Sequence, residues 1–183
     1  MFEIDELISA CTAALGESHP GPAIREVLER AVSKPADVAA AFDPPTKAEL
    51  VPLYASPELT ILHLVWAPRM QVPPHDHRMW AAIGIYGGAE ANRFFRRSPD
   101  GLVPTGDRSL STSNTVLLGA DTIHAVTNPS TTRFTGAIHI YGGDFLNKPR
   151  SVWDADTLEE GPATGEDMRR LFETANATPP AEA

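Results

Sequence analysis

The chain has 183 residues, of which 42% are hydrophobic and 21% charged, enough for one domain with a buried core and too few for two ordinary ones. The balance of 15 basic against 24 acidic side chains leaves a formal charge of -9, which argues against nucleic acid or an anionic membrane and for a small-molecule partner. Cys11 is the sole cysteine and residues 1–6 lack the basic and apolar regions of a signal peptide, so the expectation is a soluble cytoplasmic protein with no disulfide and no membrane span.

From Ile4 onward, Ile4, Leu7, Ile8, Cys11 and Leu15 recur at helical spacing, and Gly16 supplies a stop. Pro20-Gly21-Pro22 opens a second helix whose apolar stripe is Ile24, Val27, Leu28, Ala31 and Val32, with Arg25, Glu26, Glu29 and Arg30 toward water. A short third helix is expected over 36–42, broken by Pro44-Pro45. Cys11 lies on the stripe of the first helix and reads as a small core residue, not a nucleophile. Residues 1–45 are thus expected to be a helical segment packed on the body of the domain.

Beyond Pro45 the texture changes to short β-prone runs, at 50–54, 59–66, 79–86, 92–96, 115–118, 124–127 and 134–141, separated by Pro, Gly, Asn, Asp and Ser. So many short strands predict a sandwich or small barrel over 46–150, not alternating βαβ units. The remainder, 151–183, is expected to be an extension with one helix over 166–176, its Met168, Leu171 and Phe172 packed on the outside of the barrel, and a frayed tail over 177–183.

The chemistry concentrates in Pro73-Pro74-His75-Asp76-His77-Arg78-Met79-Trp80 and in Gly119-Ala120-Asp121-Thr122-Ile123-His124. A His-x-His in a β-prone context puts both imidazoles on one strand face, because side chains repeat there every second residue. Two imidazoles leave a divalent ion underbound, and His124 is the candidate third ligand.

These residues resemble the two motifs of the cupin superfamily: His-x-His followed by a glycine, here Gly87 or Gly88, and a late His followed four residues on by Asn, here His124 and Asn128. The resemblance spans roughly residues 59–141 and implies a mainly β fold, a double-stranded β-helix or jelly-roll-like barrel with the metal inside. Many cupins add a glutamate ligand four or five residues after the second histidine, where this chain has Ala81 and Ala82. Glu90 lies beyond the glycine turn and is not expected to bind. An all-imidazole site is neutral, leaves the ion its full charge and keeps coordination positions open, which suits an anionic substrate and dioxygen.

Within the cupins the chain resembles the thiol dioxygenases, namely cysteine dioxygenase and especially the bacterial mercaptopropionate dioxygenases. The resemblance rests on His75-Asp76-His77 with Trp80 and Ile83-Gly84 after it, on Trp66 before it, and on His139-Ile140-Tyr141. The family's Ser-x-His-x-Tyr relay reads Ala137-Ile138-His139-Ile140-Tyr141 here, without the serine. The crosslinking cysteine of mammalian-type enzymes is absent, since the corresponding position is about Ala82, and their upstream Tyr-x-Arg reads Tyr54-Ala55-Ser56. Arg150 matches the arginine of the bacterial enzymes, where a guanidinium grips a carboxylate through two parallel hydrogen bonds. A solvated arginine after Pro149 is the alternative.

The resemblance therefore implies a non-haem Fe(II) dioxygenase that oxidises a small thiol to its sulfinate with O2. His75, His77 and His124 would hold the metal, His139 and Tyr141 would be catalytic, and Arg150 would bind substrate. Imidazole also suits Ni and Zn. Two alternatives stay open: a three-histidine dioxygenase cleaving a diketone or ring substrate, and a non-catalytic metal- and ligand-binding cupin. Of the other polar residues, His63 is expected to pack, His19 to be solvated, Arg78 to point away from the pair, and Arg93-Phe94-Phe95-Arg96-Arg97 to form a barrel strand.

Overall fold

The computed structural model describes residues 1–99 and 101–177. The amphipathic stripes form α1 (Ile4–Ala14) and α2 (Pro20–Val32), which bury Leu7, Cys11 and Ala14 and then Gly21, Ile24, Leu28 and Val32. Asp5 and Glu6 sit in the first turn of α1, where they complement the positive helix end. The third helix, α3 (Pro35–Ala39), stops short of Phe42. Phe42 instead lays its ring flat on His63, with centroids 3.8 Å apart.

Eleven strands come next among the described residues: β1 (Glu49–Ala55), β2 (Thr60–Trp66), β3 (Gln71–Asp76), β4 (Ala81–Gly87), β5 (Ala89–Ser98), β6 (Gly101–Ser111), β7 (Thr115–Leu118), β8 (Ile123–Thr127), β9 (Thr135–Tyr141), β10 (Arg150–Trp153) and β11 (Glu160–Ala163). They form two antiparallel sheets, one ordered β1-β2-β9-β4-β7 and the other β11-β10-β3-β8-β5-β6. Without β1, β10 and β11, the eight that remain divide as β2-β9-β4-β7 and β3-β8-β5-β6. Successive strands alternate between sheets or turn back within one, which is the order of a jelly roll, a double-stranded β-helix. The fold is mainly β, with helices at both ends of the chain.

Four strands lie outside the runs expected from sequence. β3 contains Pro73 and Pro74, whose missing donors coincide with a register irregularity between Val72 and His75. β6 is a sheet edge, mostly exposed, with Leu102 and Leu110 its only buried side chains. The short β10 and β11 extend the second sheet past residue 150, so the segment after the barrel contributes to it.

The central strands of the first sheet bury both faces. Leu62, Leu64, Trp66, Ala81, Ile83, Ala137 and Tyr141 point between the sheets, while Ile61, Ala82, Ile138 and Ile140 pack against the three N-terminal helices. At Gly84 a Cβ would stand 2.8 Å from Leu28 Cγ, so α2 rests directly on the strand backbone. Gly88 takes φ +81° at the corner where the chain leaves one sheet for the other, and a Cβ there would meet Thr135 Oγ1 at 2.6 Å.

The last helix, α4 (Gly165–Ala177), covers one side of the interior instead of packing on the outside of the barrel as its stripe alone suggested. Phe172 is buried and stacks on Trp66 at 5.5 Å, because that inward-facing indole needs an apolar cover. Asn176 fastens the far end, accepting from Ala48 N at 2.6 Å and donating to Ala48 O at 3.1 Å. Of the tail over 177–183, Ala177 ends this helix, and the rest lies outside the described residues. No helix among the described residues is long and apolar enough to cross a membrane.

Candidate metal centre

His75 is the last residue but one of β3 and lies directly opposite His124 in the antiparallel ladder of β3 with β8. Sheet register, not sequence proximity, thus brings the third imidazole to the first. His77 stands one residue past the end of β3 at Asp76, and its ring converges with that of His75 as the His-x-His spacing predicts. Arg78 then takes φ +53° and turns the chain, while the His77 ring stays buried in the interior. Asp76 holds that turn from outside: Oδ1 accepts from Ser151 N at 2.8 Å, and Oδ2 faces Arg78 Nε at 3.3 Å and Arg97 Nη2 at 3.6 Å. Arg97 also pairs with Glu160 and lies over the Trp153 ring.

The His77 Nε2 lies 3.1 Å from His75 Nε2 and 3.3 Å from His124 Nε2, and ligand atoms of all three fall within 4.8 Å of one another. A metal about 2.1 Å from each nitrogen would separate neighbouring nitrogens by about 3.0 Å at right angles and about 3.4 Å in a tetrahedron. The two separations from His77 fit either. The His75 Nδ1 faces the Pro73 carbonyl at 3.0 Å, which can only accept, so the ring proton sits there and Nε2 keeps its lone pair for the cluster. Burial pushes the His75 pKa down to about 4, partly offset by that carbonyl. Burial, then the neighbouring imidazoles, hold His77 and His124 well below their ordinary value. His77 is 1% exposed and its Nδ1 has no hydrogen-bond partner among the described residues. Three buried, neutral, converging bases are a donor set for a divalent cation.

Beside the cluster, His139 and Tyr141 share one face of β9, with the phenol oxygen 3.1 Å from His139 Nδ1. Tyr141 meets His77 edge to face at 5.1 Å and stacks on Phe145 at 3.8 Å. Burial raises the Tyr141 pKa, so the phenol keeps its proton at neutral pH. Arg150 is only 7% exposed, which removes the reading of it as a solvated arginine. Its guanidinium lies 3.7 Å over the Phe145 ring and donates to the Phe145 carbonyl at 2.8 Å. Burial lowers its pKa while the fields of Tyr141 and Asp76 oppose that.

The other sequence candidates fall outside this group. His63 faces away and bonds the Tyr86 hydroxyl at 2.7 Å, Arg78 turns outward onto Asp76 and Ser151, and Asn128 ties down the loop carbonyls of Trp66, Ala67 and Arg133. Glu90 stays out of the ligand cluster, as expected, but sequence reasoning missed its place beside the site and missed Asn92 and Phe145. Glu90 is fully buried and accepts from Trp66 Nε1 at 3.1 Å and from Asn92 Nδ2 at 3.0 Å, and Asn92 Oδ1 lies 2.7 Å from His124 Nδ1. The alternation of 90, 92 and 94 along β5 was the available signal. Placing the start of that strand at 92 hid it.

The space enclosed by these groups is about 20 Å3, bounded by Trp66, the three imidazoles, His139, Tyr141, Phe145 and Met168 among others. That is room for one water.

No family model matches the chain. Among solved structures it is similar to a cupin superfamily protein from Desulfitobacterium hafniense DCB-2, at 15% identity over 58% of this chain and 88% of that one, with a TM-score of 0.48. A second is an RmlC-like cupin family protein with a double-stranded β-helix fold from Methanocaldococcus jannaschii, at 12% identity over 57% and 88%, TM-score 0.45. A third is a cupin 2 conserved barrel domain protein from Leptotrichia buccalis, at 18% identity over 57% and 45%, TM-score 0.45. These structural neighbours are cupins. The double-stranded β-helix itself stands on the strand order, and within it His75, His77 and His124 form a cluster that could hold a metal ion.

Proposed function

We propose that the chain is a non-haem Fe(II) dioxygenase that converts a small carboxylated thiol to its sulfinate, RS⁻ + O2 → RSO2⁻, with both oxygen atoms ending on sulfur. The observation that carries this reading is the grouping of a carboxylate-free imidazole triad and a phenol–imidazole pair about one small cavity, with the buried Arg150 guanidinium packed on its Phe145 wall. Iron bound by the triad would supply the Lewis acidity that lowers a thiol pKa and the redox capacity that dioxygen requires.

The chain's own residues divide the remaining work. Arg150, held by Phe145, offers its donor fork to a carboxylate. Tyr141 offers a phenol to the reacting groups, and His139 fixes the orientation of that phenol. Trp66, Phe145 and Phe172 keep the surroundings dry. The small cavity favours a short thiol over the diketone or ring substrate of the alternative dioxygenase. Besides His77, the wall residues that belong to neither sheet are Phe145 and Met168, so they are the ones free to yield to a molecule larger than water.

The test is oxygen uptake by iron-loaded protein given mercaptopropionate, cysteine and cysteamine. Uptake is expected with the two carboxylated thiols and at least tenfold less with cysteamine, which has nothing for Arg150 to hold. Bound iron with no uptake from any of the three would overturn the assignment. A protein that retains zinc and shows no redox chemistry would favour the non-catalytic binding reading.

A further inference from the structure

Glu90 sits where the metal cluster and the His139–Tyr141 pair come closest to a common neighbour. It is 0% exposed, and the His139 ring faces it with Nε2 3.5 Å from Oε2. A carboxylate buried this completely is costly unless it satisfies donors or complements a cation. Burial alone would raise its pKa, but His139, Asn92 and Trp66 together hold it below the ordinary carboxylate value. It is therefore an acceptor on every side.

Because a carboxylate only accepts and an indole only donates, the hydrogens of the whole network can be assigned. Trp66 Nε1–H occupies Oε2, and Oε1 takes the Asn92 amide NH2. With its NH2 committed, Asn92 presents Oδ1 to His124, so the His124 proton must be on Nδ1. The His124 Nε2 is then left as a lone pair aimed at His75 and His77. On the other side, His139 Nε2 is buried and has no hydrogen-bond partner among the described residues. Facing Oε2, it is attracted if it carries a proton and repelled if it carries a lone pair. With the single proton of a neutral ring on Nε2, Nδ1 is the acceptor for the Tyr141 hydroxyl.

We propose that Glu90 is a positioning residue that sets the proton placement of both His124 and His139, and so takes the relay position that Ala137 leaves without a serine. This rests on reading His75, His77 and His124 as metal ligands, and it deepens that reading without depending on which substrate is oxidised. Outer partners of metal-bound imidazoles usually fix the ring tautomer. Here one carboxylate does so for a ligand, through the Asn92 amide, and for the neighbouring relay.

The test uses the full chain and zinc as the probe metal. Long-range 1H–15N correlation spectra at pH 8 should show His124 protonated on Nδ1 and His139 protonated on Nε2 in the unsubstituted protein. Glu90→Gln introduces a donor that competes with Trp66 and Asn92, lets the Asn92 amide turn over, and is expected to weaken zinc binding about 10- to 100-fold with a changed His124 or His139 signature. Wild-type zinc affinity together with unchanged tautomers in Glu90→Gln would overturn the proposal. If that variant does not fold, the unsubstituted protein still decides, since a proton on His124 Nε2 or a bare His139 Nε2 is equally fatal. Failure of thiol oxidation with these signatures present would remove the substrate assignment and leave the role of Glu90 standing, whereas absence of zinc binding by the unsubstituted protein would remove the metal premise itself.

Discussion

The two sheets share an interior but have opposite outer surfaces. The first sheet turns Ile61, Ala82, Ile138 and Ile140 onto α1, α2 and α3, an apolar contact with α2 pressed to the backbone at Gly84. Behind the metal turn, the second sheet carries Asp76, Arg78, Arg97, Ser151 and Glu160, a polar web with its arginines half exposed. Both imidazoles of the ladder, His75 and His124, belong to the second sheet. Stability and site geometry are thus drawn from different sides: hydrophobic burial behind the relay strand β9, directional polar contacts behind the ligands. Apolar contact tolerates small slips, whereas a ligand turn needs fixed angles.

That division can be broken from either side. The largest stability effect is expected for Leu28→Ala, which empties the fully buried contact on Gly84 and should cost about 2–5 kcal/mol in denaturant unfolding, while the fraction still folded binds zinc as before. His77→Ala reverses the pattern. Metal affinity should fall more than about 100-fold, beyond the 10- to 100-fold typical of outer partners, with little loss of stability for the metal-free protein, since one of three crowded bases is gone. If instead Leu28→Ala weakened metal binding in the folded fraction, the two sides would not be separable.

Asp76→Asn should show an intermediate effect, about 1–3 kcal/mol, because a buried acceptor for Ser151 N and two arginines loses its charge. Weaker zinc binding should accompany it through the loosened turn. Glu160, held down to about 2 chiefly by Arg97, gives a smaller effect. Its folded pKa is depressed, so its contribution is present above the ordinary carboxylate value near 4.5 and disappears as pH falls toward 2. Solvent screening keeps it under about 1 kcal/mol, and Glu160→Gln should flatten that part of the acid stability curve. Smallest of all is the effect expected of alkylating reagents at pH 8. Burial pushes the Cys11 thiol up to about 12, so the native protein should react only as fast as it unfolds, with the rate followed by mass spectrometry.

Legibility in the sequence tracks the same division. The helices and the strands of the first sheet are visible because apolar periodicity records burial, and the His-x-His is visible because two imidazoles at that spacing have few other uses. Pro73 and Pro74 conceal β3, since a strand with a register irregularity tolerates what a regular one does not. β6 is nearly all exposed and has no stripe to read. The stripe of α4 shows which side is covered but not that the cover is Trp66. Arg150 left two readings open, because burial of an arginine depends on a ring, Phe145, supplied by the intervening loop.

The one-water chamber also bears on timing. While Met168 stays seated and Asn176 holds Ala48, the chamber is too small for a three-carbon acid. Under the proposed reaction, organic substrate would enter only during an excursion of the wall that Phe145 and Met168 form. The fastening of α4 at Asn176 would then set how often the site opens.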